Sequence, residues 1–274
     1  MRTSFIGGGV MAEAILARAL ASGVLNADEV CVGEPVAARR EALADAQGVG
    51  VCATGREAIT GAGLVVLAVK PQHLGHVYQE VGGHLKPTQS VLSIVAGAPL
   101  AALSAGLKHQ ALVRVMPNTP AQVGAGVSVW TATAEVSAEA RAAAAALLGC
   151  LGTAVEVADE SYLDMATAIS GSGPAYVFAF MEALTEAGVL LGMPREMART
   201  LAVETVAGSG KLASESGESP ALLRERVTSP GGTTAAALRV LEQMGMRSTI
   251  IEAAAAAHRR AQELGGPKGT GSEA

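Results

Sequence analysis

Residues 226 to 238 read RVTSPGGTTAAAL, so that Ser229, Pro230, two glycines and two threonines stand directly before an alanine-rich helical run. Such a stretch builds a helix start whose backbone N–H groups lie open, because glycine covers nothing and Thr233 or Thr234 can cap the first turn. Open N–H groups at a helix N-terminus attract anions. No histidine or lysine stands nearby, so the chemistry expected here is anion binding by backbone and hydroxyl groups.

A second stretch, TSFIGGGVMAEAILARAL from Thr3, puts Gly7, Gly9 and Ala12 in the pattern G-x-G-x-x-A, after an apolar strand and opening a helix. Gly7 permits the tight turn, Gly9 lets the backbone approach a pyrophosphate, and Ala12 allows close helix packing. The next apolar run, DEVCVGEP, ends in Glu34, where the acid that holds a ribose is expected. Glu34 would accept from a free 2′-hydroxyl and repel a 2′-phosphate, whereas Arg39 and Arg40, one helical turn on, would pair with that phosphate or are plain solvated surface. The expectation is that both NAD(H) and NADP(H) are usable.

These motifs need elements to hold them. Runs at 2–6, 29–33, 64–69, 91–96 and 111–116 are rich in Val, Ile and Leu, and helical patterns follow the first two. That alternation predicts parallel βαβ units in a doubly wound α/β sheet. Two further runs, GVSVW (126–130) and TAVEV (153–157), flank a helix centred on EARAAAAALLG and extend the sheet at one edge. The loops AVKPQ (68–72), VAG (95–97) and MPNTP (116–120) fall at strand carboxyl ends, where they would wall a nicotinamide. Lys70 would be catalytic, or else a cofactor-phosphate or surface contact.

After about Asp159 the pattern is all helical: 160–169, 174–191, 194–216, 219–228, 233–244 and 247–264. A dinucleotide-binding domain is therefore expected over 1–158, a helical domain over 159–266 and a disordered tail over 267–274. The helix AYVFAFMEALTEAGVLLG is apolar on nearly every face and must be covered, by a partner chain in an intertwined homodimer or wholly within its own domain. Glu182 and Glu186 interrupt it and argue against a membrane span.

Composition narrows the classes further. Half of the 274 residues are hydrophobic, 16% are charged and 3% aromatic, and the net charge is −5. Without a basic run or stacking aromatics a nucleic-acid surface is not expected. Cys31, Cys52 and Cys150 lie far apart without metal-ligand spacing, and read as small apolar residues in a reducing compartment. His73, His76, His84, His109 and His258 share no triad or metal spacing, and most are expected at the surface. No basic and then apolar leader opens the sequence, so a cytoplasmic protein is expected.

FIGGGVMAEAI, LAVKPQ, RVMPNTPAQVGAGV, AISGSGPAYVFAFMEAL and RVTSPGGTTAAALRVLE together resemble pyrroline-5-carboxylate reductase, from the first strand to about residue 264. The resemblance implies a Rossmann-type domain, an all-α dimerisation domain, a site between them, and dimers that often assemble into decamers. It implies that Ile6, Gly7, Gly9, Val10, Met11 and Ala12, with Glu34 and Arg39, meet the cofactor. Ala68, Val69, Lys70, Pro71, Ala96, Gly97, Met116, Pro117 and Asn118 would line it as well. Ser229, Gly231, Gly232, Thr233 and Thr234 would hold the substrate, a cyclic imine bearing a carboxylate. Thr234 is expected to donate to or orient the ring nitrogen, with Thr233 as competitor and N-capping as its plain structural role. Glu34 departs from the small or amide residue commoner in this family, which puts NADPH preference in doubt. The turn Ser170–Gly173 before Pro174 would face the cleft, or would be a packing turn at the dimer core.

Two other chemistries compete. Oxidation of a 3-hydroxy acid by a related two-domain dehydrogenase needs a base, and the helix from Pro174 to Gly192 holds no lysine or histidine. A redox sensor that binds dinucleotide without turnover would have no use for a second anion site.

Overall fold

The computed structural model describes residues 1–266. The expected tail at 267–274 lies outside the described residues. Eight strands form one sheet: β1 (Thr3–Ile6), β2 (Val30–Gly33), β3 (Gly50–Cys52), β4 (Leu64–Leu67), β5 (Ser90–Ser93), β6 (Leu112–Met116), β7 (Gly126–Ala132) and β8 (Gly152–Glu156). Their order is β3-β2-β1-β4-β5-β6-β7-β8, and every neighbouring pair is parallel except β6 with β7. β7 and β8 extend one edge, as their sequences predict. The order turns at β1 and β4, which opens a crevice beyond their carboxyl ends, where open α/β sheets bind ligands.

The apolar runs are strands because both faces of the sheet are covered. In β4 the alternation is direct: Leu64 and Val66 pack with Phe5, Ile15 and Leu16, while Val65 and Leu67 join a second core with Ile6, Val91 and Leu103. The covering helices are α1 (Val10–Ala21), α2 (Ala37–Gln47), α3 (Gly55–Ala58), α4 (Leu74–Val81), α5 (Leu100–Leu107), α6 (Ala138–Gly149) and α7 (Ser161–Ala166), the last continuing as a π-turn over Thr167–Gly171.

The described residues divide into two compact units, Met1–Ser172 together with 257–266, and Gly173–Ala256. The first reaches past the boundary expected near residue 158. An ion-paired contact spans this stretch: Arg114 on β6 donates to Glu160 (2.8 Å) and to Asp164 (3.0 Å), joining the start of α7 to the sheet, where Leu163 is buried too.

The second unit is helical, with α8 (Gly173–Leu190), α9 (Arg195–Ser216), α10 (Pro220–Arg226), α11 (Thr233–Gln243) and the first half of α12 (Met246–Gly265). α8 and α9 pack closely where a Cβ on Gly188 would meet the Ala198 Cβ at 2.7 Å. α8 is nevertheless not internal to this chain. Phe178 is 60% exposed and Leu190 88%, and Thr185 is its sole buried residue.

The cysteines are half-buried rather than buried. Cys31 and Cys52 meet across β2 and β3, Sγ to Sγ 3.6 Å. Burial, reinforced by the Cys31 contact, pushes the Cys52 thiol up to about 12, and burial also raises Cys150. The thiolate is the reactive form. Iodoacetamide at about pH 8 is therefore expected to spare Cys52 in the native protein while alkylating it in urea. Equal rates in the two states would contradict this.

Candidate functional site

The glycine-rich turn is built around three consecutive glycines. Gly7 has φ +92° and donates its N–H to the Gly33 carbonyl at 2.8 Å, which ties the turn to the end of β2. A Cβ there would meet Val69 Cγ1 at 2.8 Å and the Ala68 oxygen at 2.9 Å, so the structure brings Gly7, Ala68 and Val69 together. Gly9 is open, since the nearest atom to a Cβ at that position is the Ala68 oxygen at 3.9 Å. Gly9 is also the N-cap of α1, with no side chain capping it. The first backbone bond of α1 runs from Glu13 N–H to the Gly9 carbonyl (2.9 Å), which leaves the N–H groups of Val10, Met11 and Ala12 without an acceptor in the helix. An open, uncapped helix start beside a glycine fits a dinucleotide pyrophosphate.

Gly8, absent from the residues singled out by sequence, holds this turn to Glu34. Its N–H donates to Glu34 Oε2 at 2.9 Å, and Glu34 Oε1 accepts from Val36 N–H at 3.0 Å. A Cβ on Gly8 would run into Leu43 Cδ1. The signal in the sequence is the third glycine set against an acid at the end of the next strand. Arg39 and Arg40 are not free surface cations. Arg39 Nε donates to the Gly8 carbonyl and its Nη2 lies 3.6 Å from Glu13, while Arg40 Nη1 donates to the carbonyls of Glu34 and Pro35, each at 2.8 Å.

The other expected cofactor residues sit on loops after β4, β5 and β6. Lys70 is exposed, and Pro71 starts a 3-10 turn that leads into α4. Ala96 is exposed, and Gly97 has φ +68° with the Leu264 Cβ 3.2 Å from where its own would lie. Met116 ends β6, and its Cε occupies the space a Cβ on Gly171 would need, so the π-turn packs on the MPNTP loop. Pro117 is buried. Asn118 Oδ1 accepts from Val127 N–H at 2.9 Å, a tie that fixes the loop to β7. In the turn before α8, the Ser170 hydroxyl donates to the Ala166 carbonyl at 3.0 Å.

In the helical unit, Gly231 has φ +70° and Gly232 is the N-cap of α11, with no side-chain cap. The expectation that Thr233 or Thr234 caps this helix is not met. Gly232 takes the extended N-cap backbone (φ −77°, ψ 172°), so both threonines fall inside the first turn, past the position from which a side chain caps it. A Cβ on Gly232 would meet Ser229 Oγ at 2.5 Å, so a larger residue there would push the serine hydroxyl aside. The first α11 bond is Ala236 N–H to the Gly232 carbonyl (3.2 Å), leaving the N–H groups of Thr233, Thr234 and Ala235 open.

The threonine hydroxyls there are open as well. Thr185, Thr200, Thr228 and Thr249 each donate to the carbonyl four residues back. Thr233 and Thr234 stand too early in α11 to have a helical carbonyl at that position, and neither hydroxyl is bonded among the described residues. Both line an open groove of about 690 Å³ in this unit with Phe180, Leu184, Thr205, Val206, Ser209 and Ala237. Mostly apolar walls with a few hydroxyls, next to an uncapped helix start, suit a small ring acid. Of the five histidines, His73, His76 and His84 are exposed, whereas His109 is buried with Nε2 2.7 Å from the Gln89 carbonyl.

Comparison with known proteins places this geometry in a family. The model described as "Pyrroline-5-carboxylate reductase dimerisation" matches residues 160–264, and one described as "NADP oxidoreductase coenzyme F420-dependent" matches residues 2–97. A solved pyrroline-5-carboxylate reductase from Coxiella burnetii superposes with a TM-score of 0.91 at 35% identity, covering 97% of this chain and 99% of that one. The Plasmodium falciparum pyrroline carboxylate reductase, solved with NADP bound, gives 0.86 at 28% identity, covering 97% and 98%. The pyrroline-5-carboxylate reductase of Synechocystis sp. is 47% identical over 266 residues, 97% of this chain and 98% of its own. With a β-α-β dinucleotide turn at one end and an uncapped TSPGGTT helix start at the other, this chain belongs to the pyrroline-5-carboxylate reductase family.

Proposed function

We propose that this chain is a cytoplasmic reductase that converts 1-pyrroline-5-carboxylate to proline, the last step of proline biosynthesis, as a homodimer. The observation that supports the reading is the start of α11, an uncapped helix start whose Thr233 and Thr234, with unbonded hydroxyls among the described residues, line an open groove. The N–H groups of Thr233 to Ala235 would receive the carboxylate, with Ser229 and Gly231 shaping the turn. The nicotinamide cofactor supplies a hydride to the C=N carbon when bound, and the nitrogen takes one proton, so the ring leaves as an amine. The Thr234 hydroxyl would donate to that nitrogen or orient it. A cyclic imine can be protonated before it reacts, so no strong acid is needed. Fixing the ring at its carboxylate makes hydride delivery effectively intramolecular.

Gly9, the α1 N-terminus, and the loops carrying Val69 and Gly97 would hold the cofactor. The competing 3-hydroxy acid oxidation needs a base, and α8 carries neither lysine nor histidine. Mixing the purified protein with 1-pyrroline-5-carboxylate and NADH or NADPH is expected to discharge the reduced nicotinamide absorbance. Turnover of a 3-hydroxy acid with the oxidised cofactor, and none of the imine, would overturn the assignment.

The exposed apolar side chains of α8 and the dimerisation match over 160–264 support the homodimer. Light scattering is expected to return at least twice the 27.4 kDa of one chain, and ten times that mass if dimers stack into decamers. A monomer at micromolar concentration would refute the assembly. Three unpaired cysteines suit a reducing compartment, and among the described residues no helix is long and apolar enough to cross a membrane.

A further inference from the structure

We infer that the carboxyl end of α12 is a brace for the Ala96–Gly97 turn, which makes Leu264 and Gly265 positioning residues for the bound cofactor. This rests on the reading above that the turn walls the nicotinamide, and not on the identity of the imine.

The turn follows β5 and has little of its own to hold it. On one side Val95 is buried in the second core, and its N–H donates to Ser93 Oγ at 3.3 Å. On the other, Ala98 is buried in the same core, Pro99 is the N-cap of α5, and Leu100 N–H donates to Glu160 Oε1 at 2.7 Å. Between these anchors Ala96 and Gly97 make no hydrogen bond among the described residues. Ala96 is exposed, and Gly97 sits at φ +68°, from which a glycine has many alternatives. Left to itself, such a turn moves.

What meets it is the last turn of α12. A Cβ on Gly97 would lie 3.2 Å from Leu264 Cβ, 3.3 Å from the Leu264 carbonyl oxygen and 3.4 Å from the carbonyl carbon, so the helix backbone itself rests against the glycine. Gly265 follows, with its own Cβ position 3.6 Å from Pro99 Cγ. So close an approach needs small side chains. Ala257, Ala261 and Gly265 recur at i, i+4 and i+8, which is one face of the helix, and Ala261 is buried. These residues belong to the same compact unit as the turn. The Leu264 side chain is 55% exposed, so the contact is made by backbone and Cβ and contributes little to the stability of the fold. Its effect falls on a loop that has to be ordered when a nicotinamide packs on it. A turn already ordered binds more tightly.

Fluorescence titration of the reduced cofactor without substrate, on the full chain and on variants, tests this. A chain ending at Glu263 lacks both residues and is expected to bind about tenfold more weakly, while one ending at Gly266 keeps them and is expected to bind within about twofold of the full chain. Gly97→Ala in the full chain sets a Cβ against Leu264 and is expected to weaken binding about tenfold as well. In the chain ending at Glu263 the same substitution should add less than about threefold, because the atoms it strikes are gone and the turn is free to leave the disfavoured φ. Leu264→Ala keeps the touching atoms and should bind within about threefold of wild type. The urea midpoint of the chain ending at Glu263 should stay near that of the full chain, which separates positioning from folding. In turnover that chain should show a raised KM for the cofactor and an unchanged KM for the imine. Full affinity in the chain ending at Glu263, an equal loss in the one ending at Gly266, or losses from truncation and Gly97→Ala that simply multiply would each overturn the inference. Gly97→Ala that leaves affinity untouched would sink the cofactor wall itself, and the inference with it. The expected affinities with no imine turnover would sink the proposed substrate and leave this inference standing.

Discussion

Replacing Thr234 by Ala is expected to lower kcat/KM for the imine by about 10²-fold or more, the usual loss when one positioned donor is removed from a reacting group. The affinity for the reduced cofactor should not move, because Thr234 lies in the helical unit while the glycine turn lies in the other. Thr234 is half-buried and lines the groove, and its hydroxyl has no bond among the described residues to give up. Thr234→Ser keeps that hydroxyl and is expected to retain activity within about tenfold of wild type. This rescue separates a hydrogen-bonding role from a packing role, since serine loses the same methyl that alanine lacks. Thr233→Ala provides the internal comparison. It alters an adjacent, more exposed hydroxyl and should raise KM for the imine more than it lowers kcat. Should Thr234→Ala stay within threefold of wild type while Thr233→Ala collapses, the proton-facing role belongs to Thr233.

What the sequence reveals of this site depends on how local each signal is. The G-x-G-x-x-A turn and the TSPGGTT helix start are short, contiguous patterns whose chemistry follows from backbone N–H groups, and both occur where expected. The cap of α11 lies one or two residues before the threonines expected to provide it, because Ser, Gly and Thr are all acceptable N-caps and only the dihedral angles at Gly232 choose among them. β3 has no clear signal: it is three residues long, starts with a glycine and is only half covered, so it lacks the apolar run of a central strand. Glu34 stands out in the sequence only by its place after the second apolar run, and its bond to Gly8 spans 26 positions and leaves no periodic trace. The same holds for Arg114, one charge in the apolar run LVRVM, whose partners lie 46 and 50 residues on. That is also why the shift from strands to helices near residue 158 marks a change of secondary structure and not the end of the compact unit.

Arg114→Ala is expected to produce the largest loss of stability of any single change considered. Only 7% of the guanidinium side chain is exposed, and it divides its fork between Glu160 Oε1 and Asp164 Oδ1. Glu160 Oε1 also accepts from Leu100 N–H at 2.7 Å, so the same oxygen joins α5 to the start of α7. Removing the arginine leaves two carboxylates near each other without a cation. Breaking a fully buried pair costs about 3–5 kcal/mol, and because Glu160 and Asp164 are 30% and 23% exposed, water recovers part of that, which puts the expected loss at about 2–4 kcal/mol. Urea unfolding reads it as a lower midpoint with an unchanged slope. Hydrogen exchange should quicken at Leu100 and across 161–171, the stretch that packs Gly171 against Met116. Arg114→Lys keeps the charge but not the fork, and should recover less than half of the loss. The combination Arg114→Met, Glu160→Gln and Asp164→Asn removes every charge together and should be more stable than Arg114→Ala alone, because the cost arises from unpaired carboxylates rather than from the missing contact itself. A loss below about 1 kcal/mol for Arg114→Ala would mean that α7 is held by its apolar face, chiefly Leu163, and that the ion pairs follow the packing instead of fixing it.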